Sequence, residues 1–93
     1  MNPTHKPFAQ ACVENGPPIL EVLRAHLPER GELLEIGSGT GQHAVMFAAA
    51  LPDLIWYCSD RKAMHAGILA WLEEARHPNL RAPIALDVLR DPW

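Results

Sequence analysis

The stretch "LLEIGSGTGQHA", residues 33–44, runs an apolar segment straight into three glycines, Gly37, Gly39 and Gly41, spaced two apart. Nothing else in the chain limits its fold so strongly. Glycine takes φ > 0 without a steric penalty and leaves its main chain bare, so alternate glycines mark a sharp turn or a backbone that something else approaches closely. The apolar "ELLEI" before them is short and bounded by turn residues, which predicts a buried strand. Behind them Ala44, Val45, Phe47, Ala48 and Leu51 recur at helical spacing until Pro52, which predicts a helix. Strand, glycine turn and helix in that order leave the first N–H groups of the helix free to face a bound molecule.

The rest of the chain continues this alternation. "PPILEVLRAHLP" sets Ile19, Leu20, Leu23 and Leu27 on one face, predicting a helix that starts at Pro17, is capped near Asn15 or Gly16, and ends at Pro28. Residues 1–16 carry two prolines and no periodicity and are read as an extended arm, which leaves 17–93 as the folded unit. "LIWYCS" predicts a second buried strand. Ser59 or Asp60 is the expected cap of a helix reaching about Ala75, with Met64, Ile68, Trp71 and Leu72 inward. "APIAL" predicts a third strand ending at Asp87. The order α-β-α-β-α-β implies right-handed crossovers and a parallel sheet, hence an α/β fold. Ligands of such sheets bind outside the carboxyl ends of the strands, where the Gly37–Gly41 loop, Asp60 and Asp87 converge.

Composition removes several function classes. The net charge is −3 and no cluster of Lys or Arg occurs, which argues against a binder of nucleic-acid backbones. Cys58 lies in an apolar run and reads as a buried, reduced thiol, and with Cys12 it makes a thin case for a disulfide. His5, His26, His43, His65 and His77 have no metal-ligand spacing, and His43 reads as a solvated first-turn histidine. No metal site is assigned, and no Ser-His-Asp or Cys-His set stands out. Trp56 and Trp71 read as core. No signal pattern opens the chain and no apolar stretch approaches the ~18 residues that span a bilayer, so the expected compartment is the reducing cytoplasm, without a membrane partner.

Two cofactors fit the glycines. "GTGQHA", residues 39–44, satisfies the dinucleotide pattern G-x-G-x-x-G/A, and Asp60, about 20 residues further on, suits an adenosine ribose in either case. Glu35 separates them. A carboxylate beneath the loop repels a pyrophosphate, whereas S-adenosylmethionine brings a sulfonium and an ammonium. Plainer roles stand beside these: Glu35 as a paired structural carboxylate, Asp60 as a helix cap, Asp87 as a strand-end turn residue.

"LLEIGSGTGQHA", "WYCSD" and "ALDV" resemble, in order, the first three nucleotide-site motifs of class I S-adenosylmethionine-dependent methyltransferases. Residues 13–93, from "PPILEVL" through "AWL" to "ALDVLRDPW", are similar to one branch of them, a methyltransferase-like family of bacteria and animals with no settled substrate. The resemblance implies that Glu35 and the loop Gly37, Ser38, Gly39, Thr40 and Gly41 hold the methionine end. It implies further that Asp60 takes the ribose hydroxyls and that Asp87 with the Val88 backbone meets the adenine edge. Arg61 stands where many relatives present an apolar residue, so its role stays open, with stacking on the base one option. The family's sheet is larger than three strands, so the chain reads as a Rossmann-like half domain with strand order 3-2-1, expected to bind S-adenosylmethionine or its demethylated product. It offers no catalytic residue and no identified methyl acceptor, and methyl transfer by these 93 residues alone is not expected. The alternatives are an NAD(P)-type dinucleotide site and a non-catalytic interaction fragment. A homodimer through the exposed edge of the first strand is expected, because an apolar edge strand invites pairing.

Overall fold

Short apolar strands separated by amphipathic helices can bury their side chains only by stacking side by side under those helices, and the computed structural model, which describes residues 7–91, has that arrangement. The elements are α1 (Gln10–His26), β1 (Gly31–Leu34), α2 (Gln42–Ala50), β2 (Leu54–Asp60), α3 (His65–Ala75) and β3 (Leu80–Ala85), with a 3₁₀ turn at Lys62–Met64 before α3. The three strands form one parallel sheet in the order β1-β2-β3. This is the α/β, Rossmann-like half domain that the sequence predicts.

All three helices pack on one face. Trp56 and Cys58 of β2 meet Ala44, Phe47 and Ala48 of α2 and Ile68 of α3, while Leu20 and Leu23 of α1 and Leu33 of β1 close the cluster. Cys58 is fully buried, as expected, and both Cys12 and Cys58 are free thiols. The opposite face is uncovered: Leu34, Ile36 and Ile84 are 49%, 47% and 45% exposed. The outer edge of β1 has no strand partner among the described residues. Because the Glu35 amide points to β2, bonding the Tyr57 carbonyl at 2.8 Å, the alternation of a strand turns the main-chain groups of Glu32 and Leu34 to that open edge.

The N-terminal reading needs correction. Helix α1 begins at Gln10, so Pro17 and Pro18 lie inside it and Asn15 and Gly16 cap nothing. The prolines remove amides that would bond the carbonyls of Val13 and Glu14, both on exposed residues, where the loss costs less than in the core. Tertiary contacts outweigh that loss. The Ala9 amide donates to Gln42 Oε1 at 3.0 Å, Trp71 Nε1 donates to the Pro7 carbonyl at 2.6 Å, and Gly16 is buried against Met46. Residues 1–6 of the expected arm lie outside the described residues.

Neither Ser59 nor Asp60 caps α3, which follows the 3₁₀ turn without a side-chain cap. Both residues face the glycine loop instead. In β3 the interval Arg81–Ile84 matches the shorter Tyr57–Ser59 of β2, so the strand bulges there. Pro83 sits in that bulge, on an edge strand, where a missing N–H disturbs least. Among the described residues no helix is long and apolar enough to cross a membrane.

At the amino ends of the strands, buried Asn79 holds three chain segments together. Its Nδ2 donates to the carbonyls of Ala48, Leu51 and Leu54 at 3.0, 3.2 and 2.9 Å. Asn79→Ala is expected to cost about 2 kcal/mol in urea unfolding, the range for stranded buried carbonyls. A loss within experimental error of zero would remove Asn79 from this role.

Candidate functional site

The loop after β1 is shaped by left-handed backbone at each glycine, with φ of 72° at Gly37, 59° at Gly39 and 88° at Gly41. The three serve different ends. A Cβ on Gly37 or Gly39 would meet nothing within 4 Å, so these two need glycine for conformation and front open space. A Cβ on Gly41 would lie 3.0 Å from the Ile68 backbone, so Gly41 also lets α2 start hard against α3. Thr40 Oγ1 accepts the Gln42 amide at 3.1 Å and so satisfies one of the free donors of α2.

Beneath the loop, Ser38 and Ser59 are joined twice. The Ser38 amide donates to the Ser59 carbonyl at 2.8 Å, and the Ser59 amide donates to Ser38 Oγ at 3.0 Å. The Ser59 hydroxyl donates to the Glu35 carbonyl at 2.5 Å. Asp60 reaches the loop from the end of β2: Oδ2 accepts the Gly39 amide at 2.9 Å and Oδ1 the Arg61 amide at 2.7 Å.

At the carboxyl ends of the strands lies a pocket of about 240 Å³. It brings together five of the expected site residues, Gly37, Asp60, Arg61, Asp87 and Val88, with Ile36, Leu86 and Leu89 completing the wall. Two carboxylates there can accept from hydroxyl or amine hydrogens, the apolar side chains suit a flat ring, and Arg61 is the single cation of the lining. The Asp87 loop is built by its own polar groups. Asp87 Oδ1 accepts the Leu89 amide at 3.0 Å, and the Asp87 amide donates to Asp91 Oδ2 at 2.7 Å. Asp91 escaped the sequence reading; the signal available was the pair of acids four apart around a predicted turn, a pattern in which side chains bond nearby amides.

Glu35, Ser38, Gly39, Thr40 and Gly41 do not line this pocket. Glu35 is half-buried on the helix side of the loop, in a separate groove of about 260 Å³ between α1, β1 and α2. Its Oε1 accepts a hydrogen bond from Trp56 Nε1 at 3.4 Å. His43 lines the same groove and is not solvated as expected. Its ring stacks on Phe47 with centroids 5.0 Å apart, and Nε2 is buried without a hydrogen-bond partner, because α1 covers the first turn of α2. Burial pushes the Cys58 thiol up to about 11, the Glu35 carboxylate adds to the rise, and a hydrogen bond with the Ser38 side chain opposes it. Such a thiol is a packing group, not a nucleophile. Trp56 is core, as expected, whereas Trp71 is half-buried.

The different surroundings of the glycines lead to a stability test. Gly39→Ala is expected to cost about 1–2 kcal/mol, the penalty of a left-handed L-residue. Gly41→Ala is expected to cost clearly more, since backbone cannot give way to the added methyl. Equal losses in urea unfolding would contradict the close packing of Gly41 on Ile68.

Residues 6–93 match the model of a family described as "Protein of unknown function (DUF938)". The match takes in nearly the whole chain, and the protein belongs to that family.

Proposed function

We propose that the chain carries the S-adenosylmethionine-binding part of a methyltransferase, acting on an acceptor that its residues do not identify. The observation that supports this most is the meeting of Gly37, Asp60, Arg61, Asp87 and Val88 around one pocket at the carboxyl rim of a parallel sheet. An ionised carboxylate offers about four lone-pair sites. Asp60 uses two on backbone amides, which leaves it capacity for the two hydroxyls of a ribose. Asp87 and the Val88 main chain flank the far wall, where an adenine edge would lie, and Arg61 offers a planar cation to its ring. With two carboxylates, Asp60 and Asp87, against the one cation Arg61, the lining disfavours a doubly charged pyrophosphate, whereas Glu35 faces its own groove and takes no part in that choice. No catalytic base is assigned.

Calorimetry with S-adenosylhomocysteine and with NAD tests this reading. The homocysteine compound is expected to bind better, and Asp60→Ala to weaken it by about 10- to 100-fold, since a hydrogen bond to a charged group contributes about 1.5–3 kcal/mol. Tight NAD binding with none for S-adenosylhomocysteine would replace this cofactor by a dinucleotide. Unchanged affinity in Asp60→Ala would remove Asp60 from the site.

The partner proposed for the open edge of β1 is a second copy of the chain. Unpaired amides and carbonyls beside exposed Leu34 and Ile36 form a surface that strand pairing would cover. Light scattering is expected to give a dimer mass, and a monomer at high micromolar concentration would refute the pairing.

A further inference from the structure

We infer that Ser59, acting with Ser38, is a positioning residue that fixes where the glycine loop leaves the sheet and so shapes the rim pocket. This rests on the pocket being the ligand site proposed above, although half of its test does not. The ordinary ladder between β1 and β2 ends with the Glu35 amide on the Tyr57 carbonyl. The next amide of β2 that would seek a β1 carbonyl, that of Ser59, is fully buried and finds Ser38 Oγ instead. A side-chain oxygen thus replaces the main chain, and residues 36 and 37 can lift out of the sheet without leaving a buried donor unpaired. The Ser59 hydroxyl then ties down the Glu35 carbonyl, the point from which the lift begins. Gly37, held between these two attachments, is the loop residue that lines the pocket.

Serine suits both positions because one small hydroxyl both donates and accepts. Alanine at 59 keeps the backbone and loses the tie to Glu35; alanine at 38 loses the acceptor for the Ser59 amide. The loop should then open from its base. Cys58, fully buried beside Ser59 and hydrogen-bonded to the Ser38 side chain, reports such opening.

The experiment uses the full chain with Cys12→Ser, so that an aryl disulfide reagent reads Cys58 alone. Ser59→Ala, Ser38→Ala and their combination are compared with Asn79→Ala, which loosens the opposite end of the sheet, each at the same interval below its Tm. Without ligand, either serine variant is expected to label about tenfold faster than Asn79→Ala, the effect of one lost hydrogen bond, and the double variant at least as fast as the faster single, since each substitution removes a different bond. Labelling at the Asn79→Ala rate overturns the inference. S-adenosylhomocysteine affinity is expected to fall about tenfold in Ser59→Ala and to hold in Asn79→Ala; an unchanged affinity in Ser59→Ala also overturns it. If the unsubstituted protein binds no S-adenosylhomocysteine, the cofactor reading fails, and the labelling rates still decide the role of Ser59.

Discussion

The Glu35 amide makes the last regular bond between β1 and β2, and the chain then climbs out of the sheet through backbone angles that only glycine takes without strain. Every feature of the rim follows from that departure. Had the ladder run on, residues 36 to 38 would have been one more stretch of strand, with no loop for Asp60 to meet. The cost of leaving a sheet early is buried main-chain groups without partners. Here two small hydroxyls, Ser59 on the neighbouring strand and Ser38 in the loop itself, supply the partners, so the turn starts exposed at Ile36 and Gly37 and returns to the interior by Gly41.

The sheet divides the molecule unequally. On one side Phe47, Trp56 and Ile68 form a close-packed core under three helices. On the other, apolar side chains of β1 and β3 stand in the open. A small domain has little stability to spare. The covered face therefore carries most of the hydrophobic stabilisation, and the glycine loop, rooted on that face through Gly41, inherits its rigidity.

The elements were legible where periodicity was strong. Leu54–Asp60 falls where the branched and aromatic run "LIWYCS" put it, and the helix ending at Ala75 where the spacing of Ile68, Trp71 and Leu72 put it, although it starts at His65, after the 3₁₀ turn, and not at Ser59 or Asp60. The start of α1 was hidden, because two prolines read locally as a beginning, while the contacts that extend the helix back to Gln10 come from Gln42, Met46 and Trp71, far along the chain. In the site, Asp60, Asp87 and the glycines could be located by their place after strands, which topology sends to one rim. The division of Glu35 into its own groove could not, since it depends on which face of β1 the side chain takes. Ser59 was equally hidden: a serine near a strand end looks like a cap until its neighbours across the sheet are known.

The bond from the Trp71 indole to the Pro7 carbonyl spans 64 positions. On a ribosome, Pro7 emerges early and must wait for α3 before this fastening can close, and the entropy of so long a loop makes it a late event. Pro7 and Ala9 are thus fastened to α3 and α2 only after the core has assembled, on the helix side of the sheet.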